Sequence, residues 1–324
     1  MKKSIITVLV ALLATMGVNA QQIAVVSEGG TTTLFQTLDE AVTGASSGSV
    51  IYLPGGGFQI KDETKINKRL TIMGVSHRTD TDNADGGTTV SGNLFFEDGS
   101  DGSSVMGIYL SGNVYIGTTD DVVTNILIRY CNTNSVQITR EDCSGILINQ
   151  CYLRNPVNCG NNNTKITNCI CHSIINVNAG VIDHNVVFAM FSPRSAWYYP
   201  LYNVNNATIS NNILLNWGDG FSGSNCQVAN NISPVTWGEN YINTSDWNEL
   251  FVGPVNGASI FSNYHLKSTT GQGAGSDGTD IGIYGGTGFS DAALAPIPRI
   301  ISKSIPEQTD ASGKLKIQVT VKAN

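Results

Sequence analysis

Ile128-Arg129-Tyr130-Cys131, Ile148-Asn149-Gln150-Cys151 and Ile166-Thr167-Asn168-Cys169 are three copies of one phrase: an apolar residue, two of any kind, then Asn or Cys. Before them the phrase stands as Val90-Ser91-Gly92-Asn93 and Leu110-Ser111-Gly112-Asn113. After them it stands as Ile182-Asp183-His184-Asn185, Ile209-Ser210-Asn211-Asn212 and Val228-Ala229-Asn230-Asn231. The steps are 20, 18, 20, 18, 16, 27 and 19 residues. A period near twenty with one long exception reads as a solenoid, whose coils bury their apolar faces only by stacking on one another.

Ile126 precedes Ile128 by two residues, and Ile146 precedes Ile148 in the same way. That spacing puts both side chains on one face of a strand. Ala207 and Gly180 hold the matching place before Ile209 and Ile182, so the inward volume varies. The Asn or Cys three residues on falls just past the strand, where Asn tolerates left-handed backbone and bonds neighbouring peptide groups. Stacked at about 4.8 Å per coil, such residues form a ladder of amides. Cys keeps the size and drops the polarity. An antiparallel sandwich would not repeat one phrase eight times, and a leucine-rich repeat needs several Leu per unit.

Met1 to Ala20 reads as a secretory leader: Lys2 and Lys3, an apolar run from Ile5 to Met16, then Val18-Asn19-Ala20 as a small-residue cleavage site. The run is too short to span a bilayer, and no later stretch is long enough. The expectation is an exported chain (periplasmic, cell-surface or extracellular) of bacterial type. Charged residues make up 13% of the chain, about half the usual share. Frequent turn residues say all-β. The net charge of −7 argues against nucleic acid or an anionic membrane as partner. The repeat occupies the middle without interruption, so one domain is expected over 21–294, with a tail over 295–324.

Leu34 to Ala45 reads as a helix, with Leu38, Ala41 and Val42 on one face and Gly44 to Gly48 ending it. It would cover the open end of the solenoid. Ser49 to Leu53 reads as a strand, Pro54 to Gly57 as a turn, and Lys68 to Gly74 as a strand and turn. In the tail, Leu315, Ile317, Val319 and Val321 alternate and read as a strand that packs back along the solenoid or over its end.

Three runs carry a resemblance: Phe35-Gln36-Thr37-Leu38-Asp39-Glu40-Ala41, Gly48-Ser49-Val50-Ile51-Tyr52-Leu53-Pro54-Gly55 and Arg69-Leu70-Thr71-Ile72-Met73-Gly74. Together they resemble the opening of right-handed parallel β-helix proteins of the pectate-lyase-like superfamily. Asn263-Tyr264-His265-Leu266-Lys267, then Gly271 to Gly286 with Asp277-Gly278-Thr279-Asp280-Ile281-Gly282, is similar to the closing coil of secreted Bacteroidetes-type members. The resemblance implies an all-β, single-stranded right-handed parallel β-helix with a short N-terminal capping helix. It implies no one activity, because the superfamily holds lyases, hydrolases, epimerases and adhesins.

The seven cysteines, Cys131, Cys143, Cys151, Cys159, Cys169, Cys171 and Cys226, are odd in number, so at least one is unpaired. The spacing of Cys131, Cys151 and Cys169 stacks them as buried thiols; a disulfide among the others stays open. Cys169-Ile170-Cys171-His172 is too compact for a standard zinc site.

All four Trp lie between Trp197 and Trp247. The 27-residue step contains Ser192 to Pro200, with Arg194, Trp197, Tyr198 and Tyr199. An insertion between coils goes to the surface, where aromatic rings stack on sugars or fold on themselves. Trp217-Gly218-Asp219 lies eight residues after Ile209, and Trp237-Gly238-Glu239 nine after Val228. The two triplets would place Asp219 and Glu239 on adjacent coils, as an acid/base pair for glycoside cleavage, a Ca²⁺ site, or solvated turn acids.

Gly180 to Asn185 is similar to a short pectate-lyase segment ending in Asp-His, without its Trp. The paired Arg of that family is missing; Arg194, Lys165 and Arg154 are the basic residues a lyase would draw on. The polygalacturonase signatures are also absent, since Asp120-Asp121 follows Thr. His172, His184 and His265 read as structural. The expectation is a monomeric exported solenoid that recognises, and as an enzyme cleaves, a polysaccharide or cell-surface glycan. Asp219, Glu239 and Arg194 would carry the chemistry, and Trp197, Tyr198, Tyr199, Trp217, Trp237 and Trp247 would bind the sugar. The competing expectation is a non-catalytic carbohydrate-binding or adhesion solenoid.

Overall fold

The computed structural model describes residues 22–78, 86–118, 120–188, 199–215, 221–244, 246–253, 255, 262–267, 269–296, 299–306 and 308–322. The stretch read as a leader, Met1 to Ala20, lies outside the described residues. Among the described residues, the repeat forms a parallel β-helix of three long sheets, with eleven, ten and seven strands. Each coil visits the eleven-stranded sheet, then the ten-stranded, then the seven-stranded.

Stacking follows the period-two pattern. Ile51, Ile72, Val105, Ile128, Ile148, Ile166, Ile182, Ile209 and Val228 stand in register along the eleven-stranded sheet. From Ile51 to Ile209 all are buried in one continuous core with Leu110, Leu153 and Leu214 of the ten-stranded sheet and Val136, Val157 and Leu201 of the seven-stranded sheet. Burying each such side chain stabilises by about 1.5–3 kcal/mol.

Two readings of the phrase need correction. The copies at Val90 and Leu110 belong to the ten-stranded sheet, not to the row of Ile128. A three-sided coil places an apolar residue before Gly or Asn at more than one corner, so spacing alone does not tell the corners apart. The left-handed backbone also falls one residue earlier than expected, on the third position: Tyr130, Gln150, Asn168, His184, Asn211 and Asn230 have φ between 51° and 59°. This frees the fourth residue to point inward.

Those fourth residues form one buried ladder that changes chemistry halfway. The Cys169 N–H donates to Asn185 Oδ1, Asn185 N–H to Asn212 Oδ1, and Asn212 N–H to Asn231 Oδ1, each at 2.9 Å. One coil earlier the Cys151 N–H meets Cys169 Sγ at 3.4 Å. All seven cysteines are free. Burial pushes the thiols of Cys131, Cys151 and Cys169 well up, and that of Cys159 to about 12, so they behave as apolar spacers.

The capping helix spans Leu38–Gly44, shorter than the expected 34–45. Thr37 caps it, bonding the Glu40 N–H while Glu40 reaches back to the Thr37 N–H, a capping box that sets the start. Upstream, Thr32–Phe35 is a strand antiparallel to Ile23–Val26, which pairs antiparallel with the first coil strand, Val50–Tyr52. Leu38, Ala41 and Val42 cover the core end as expected.

The stretch read as a closing coil does something else. From Gly271 to Ala295 it runs lengthwise as a strap along the left-handed corner, against the order of the coils. Asn230 Nδ2 donates to Ala274 O, and Asn211 Nδ2 to Ser276 Oγ. Asn168 Nδ2 donates to Ile283 O and Gly285 O. The Ser290 N–H donates to Gln150 Oε1, and Ser76 Oγ to Ala292 O. The strap ends in an antiparallel bridge between Leu294 and Ser76. With Leu250, Phe251, Tyr264 and Leu266 it forms a second core on the outer face of the ten-stranded sheet, over Tyr152, Ile170, Val186, Ile213 and Ile232.

Beyond the strap, Arg299–Ser304 and Gln318–Lys322 pair as an antiparallel ribbon, a separate two-stranded sheet. Leu315, Ile317, Val319 and Val321 are exposed, so the alternation read as a strand has not been turned onto the solenoid.

Candidate functional site

The three outer sheet faces differ in what covers them. From Tyr152 to Ile232 the ten-stranded sheet lies beneath the second core. The eleven-stranded sheet is covered near its first coils, where Met106 packs against Ala295, with Tyr52, Met73, Leu127 and Leu294 around them. Its last coils carry a groove of about 690 Å³ lined by Thr208, Ser210, Gln227, Trp237, Glu239 and Ser276. The seven-stranded sheet carries an outward row in register: Phe95, Tyr115, Gln137, Asn158, Ile175 and Tyr202.

That row has aromatic ends and an amide centre. The rings of Phe95 and Tyr115 stack at 4.8 Å with 8° between planes, and Lys65 Nζ sits 3.5 Å from the Phe95 centroid. At the far end Tyr199 and Tyr202 lie 5.7 Å apart. Between them is a cleft of about 590 Å³ lined by Gln137, Thr139, Arg140, Glu141, Asp142, Asn158, Asn161 and Asn176.

Backbone irregularity aims the amides. Asn161, Asn176 and Asn203 take φ of 61°, 58° and 52° inside or beside the strands, and the register shifts between Asn158 and Asn162. Such bulges turn a side chain out of the alternation. Asn176 Nδ2 donates to Asn158 Oδ1 at 3.0 Å, and Asn203 Nδ2 to Asn176 Oδ1 at 2.8 Å. A primary amide has two donors and two acceptor positions, so the network leaves hydrogen-bonding capacity toward the cleft. Arg140 grips Asp142 bidentately, at 2.7 and 2.6 Å. The guanidinium holds the Asp142 carboxyl below its ordinary value. With Glu141 beside this pair the lining is weakly acidic, which disfavours an anionic chain and suits a neutral, hydroxyl-rich one.

The expected site residues fall in different places. Arg194, Trp197, Tyr198, Trp217 and Asp219 lie outside the described residues. Tyr199 stands at the end of the amide row. Trp237 packs against Phe221 at 5.0 Å, at the end of the main core. Glu239 is exposed in the groove of the eleven-stranded sheet, on the coil after Val228, whose O accepts its N–H at 2.9 Å. Trp247 opens the short helix Trp247–Leu250 and packs on the second core. Tyr199, Trp237 and Trp247 therefore serve three separate surfaces. Among the described residues, no group of three or more His, Cys, Asp or Glu can hold a metal ion.

The basic candidates are placed structurally. Arg154 Nη2 donates to Leu110 O and Ser111 O, with its guanidinium over Tyr109. Lys165 is exposed on the outer face of the eleven-stranded sheet. His172 is half-buried, and burial lowers its pKa. His184 and His265 contact the strap: His184 Nε2 lies 3.2 Å from Thr279 Oγ1, and His265 stacks on Tyr284 at 3.6 Å.

No protein-family model, curated protein or solved structure matches this chain. The architecture accordingly rests on the coil geometry. The amide cleft was missed in the sequence because its Asn residues follow no phrase. The signal available was Asn176 and Asn203, each one residue before a buried Val, Val177 and Val204.

Proposed function

We propose that this protein binds a neutral polysaccharide lengthwise on the outer face of the seven-stranded sheet. The observation that carries the reading is the register of Phe95, Tyr115, Gln137 and Asn158, which repeats one outward position per coil. Sugars offer hydroxyls to amides, and a linear chain meets one outward position of the row at each step along the axis. The same proposal sets this binding outside the cytoplasm, and the leader-like Met1 to Ala20 is its support. The test is a panel of neutral and acidic glycans measured by calorimetry. Binding to neutral chains that weakens about tenfold in Gln137→Ala/Asn158→Ala supports the reading. Binding that ignores this variant, or that favours polyuronates, overturns it.

A second reading is cleavage, motivated by Glu239 in the groove of the eleven-stranded sheet beside Ser210, Gln227 and Trp237. In this reading Glu239 acts with Asp219 as an acid/base pair, or the two carboxylates take Ca²⁺. New reducing ends that vanish in Glu239→Gln and Asp219→Asn support it. Bound glycans that stay intact with the unmodified protein, with and without Ca²⁺, sink it and leave a binding or adhesion solenoid.

A further inference from the structure

The C-terminal ribbon carries the least covered apolar surface on the described molecule. Val319 and Val321 are 48% and 58% exposed, and Leu315, Ile317 and Ile305 are 43%, 56% and 58% exposed. Ile300 stands opposite Val321 and Lys303 opposite Val319, so these four side chains share a face; Ile317 and Leu315 continue the same alternation. The other face carries Lys322, Thr320, Gln318 and Lys316. The apolar face amounts to roughly 500 Å², at the upper end of what soluble monomers leave open. A lone two-stranded ribbon is also marginal in water. Both facts call for a covering partner.

Among the described residues, the rest of the chain offers no match. The other exposed large apolar residues among those described, Leu34, Val122, Tyr202, Tyr241 and Val252, lie far apart in the chain and on separate elements. The surface complementary to the ribbon is another ribbon.

We propose that the ribbon is a self-association surface on which two copies of the chain pair, apolar face to apolar face, in a four-stranded sandwich. Such a contact is isologous and closes at two copies. It buries about 1,000 Å² in total, the lower bound for a specific interface, so the dimer is weak and concentration-dependent. Lys314, Lys316 and Lys322 oppose further edge-to-edge growth. This replaces the monomer expected from sequence.

The experiment is sedimentation velocity of the purified protein across the micromolar range, with three variants. The unmodified chain shifts from monomer to dimer. Ile317→Lys/Val319→Lys weakens the dimer by about tenfold or more. Thr320→Lys, on the polar face, leaves it unchanged. Lys303→Leu, which extends the apolar face, tightens it, so the proposal does not depend on loss of function alone. A monomer at every concentration overturns the proposal. So does a dimer indifferent to both Lys303→Leu and Ile317→Lys/Val319→Lys, or a monomer that instead partitions onto phosphatidylglycerol vesicles through the ribbon.

Discussion

His184 and Thr279 stand 95 residues apart in the chain, yet imidazole Nε2 and hydroxyl Oγ1 meet at 3.2 Å. The hydroxyl also accepts the Gly286 N–H at 2.7 Å and donates to Asp277 Oδ1 at 2.7 Å. On the other side of the ring, Nδ1 lies 2.9 Å from Asp183 Oδ2. The Asp-His pair that resembles a lyase segment is thus the anchor of the strap.

Acid should release that anchor. Burial alone would raise the Asp183 carboxyl, but His184, Ser210 and Asn211 together bring it below its ordinary 3.8. Asp277 is lowered too, against its own burial, chiefly by hydrogen bonds from Thr279. A carboxyl lowered by folding contributes stability above its unfolded pKa and loses it as pH falls through the folded value. Melting temperature should be nearly level from about pH 7 to 5 and fall below about pH 4. Asp183→Asn should flatten that acid limb; an unchanged limb would remove Asp183 from the account.

Gly285 should be nearly intolerant of substitution. A Cβ there would lie 1.8 Å from Asp280 O and 2.4 Å from His184 Cδ2. Gly285→Ala should cost about 1–3 kcal/mol or more and make the strap the first site of limited proteolysis. Gly278→Ala meets nothing within 4 Å but needs φ of +78°, so it should cost about 1 kcal/mol. Denaturant midpoints for the pair check the order.

The ladder predicts its own substitution pattern. Asn212 Oδ1 accepts the buried Asn185 N–H at 2.9 Å, and Nδ2 donates to Ile182 O and Ser210 O at 2.9 and 2.7 Å. Asn212→Leu strands those groups and should cost about 3 kcal/mol or more. Asn212→Cys should cost less, because sulfur fills that position three times in this chain. Equal losses for the two would count against the ladder.

Thiol labelling tests burial directly. Only Cys226 among the seven is not fully buried. Burial pushes its thiol up as well, so labelling should be slow, at one site in the native protein and seven in denaturant. Fast labelling of Cys131, Cys151 or Cys169 would contradict their place in the core.

How much of this was legible beforehand depends on what enforces each part. Ile128, Ile148 and Ile166 were readable because stacking demands the same volume at the same step. The true corner was not, because Tyr130, Gln150 and His184 are poor markers of left-handed backbone; tertiary pairing holds them there. The strap was misread because its glycines suit any tight path, and only the facing Asn and His residues fix which one. Trp237 and Glu239 line one groove, but Tyr199 and Trp247 belong to other faces, since nearness in sequence is not nearness around a coil. The amide cleft depends on bulges at Asn161 and Asn176, which local propensity does not announce.

The strap also changes how this solenoid lasts. Coils that touch only their neighbours can fray from either end, one at a time. Here the contact of Ser76 with Ala292 spans 216 residues and ties early coils to the end of the strap. Stacking of coils is local and can proceed without that contact, so its closure comes late and adds little to the rate of folding. It must break before the ends can peel. The contribution of Ser76 and its partners is therefore to kinetic persistence: the folded chain should lose structure slowly, in one step, at a rate set by release of the strap.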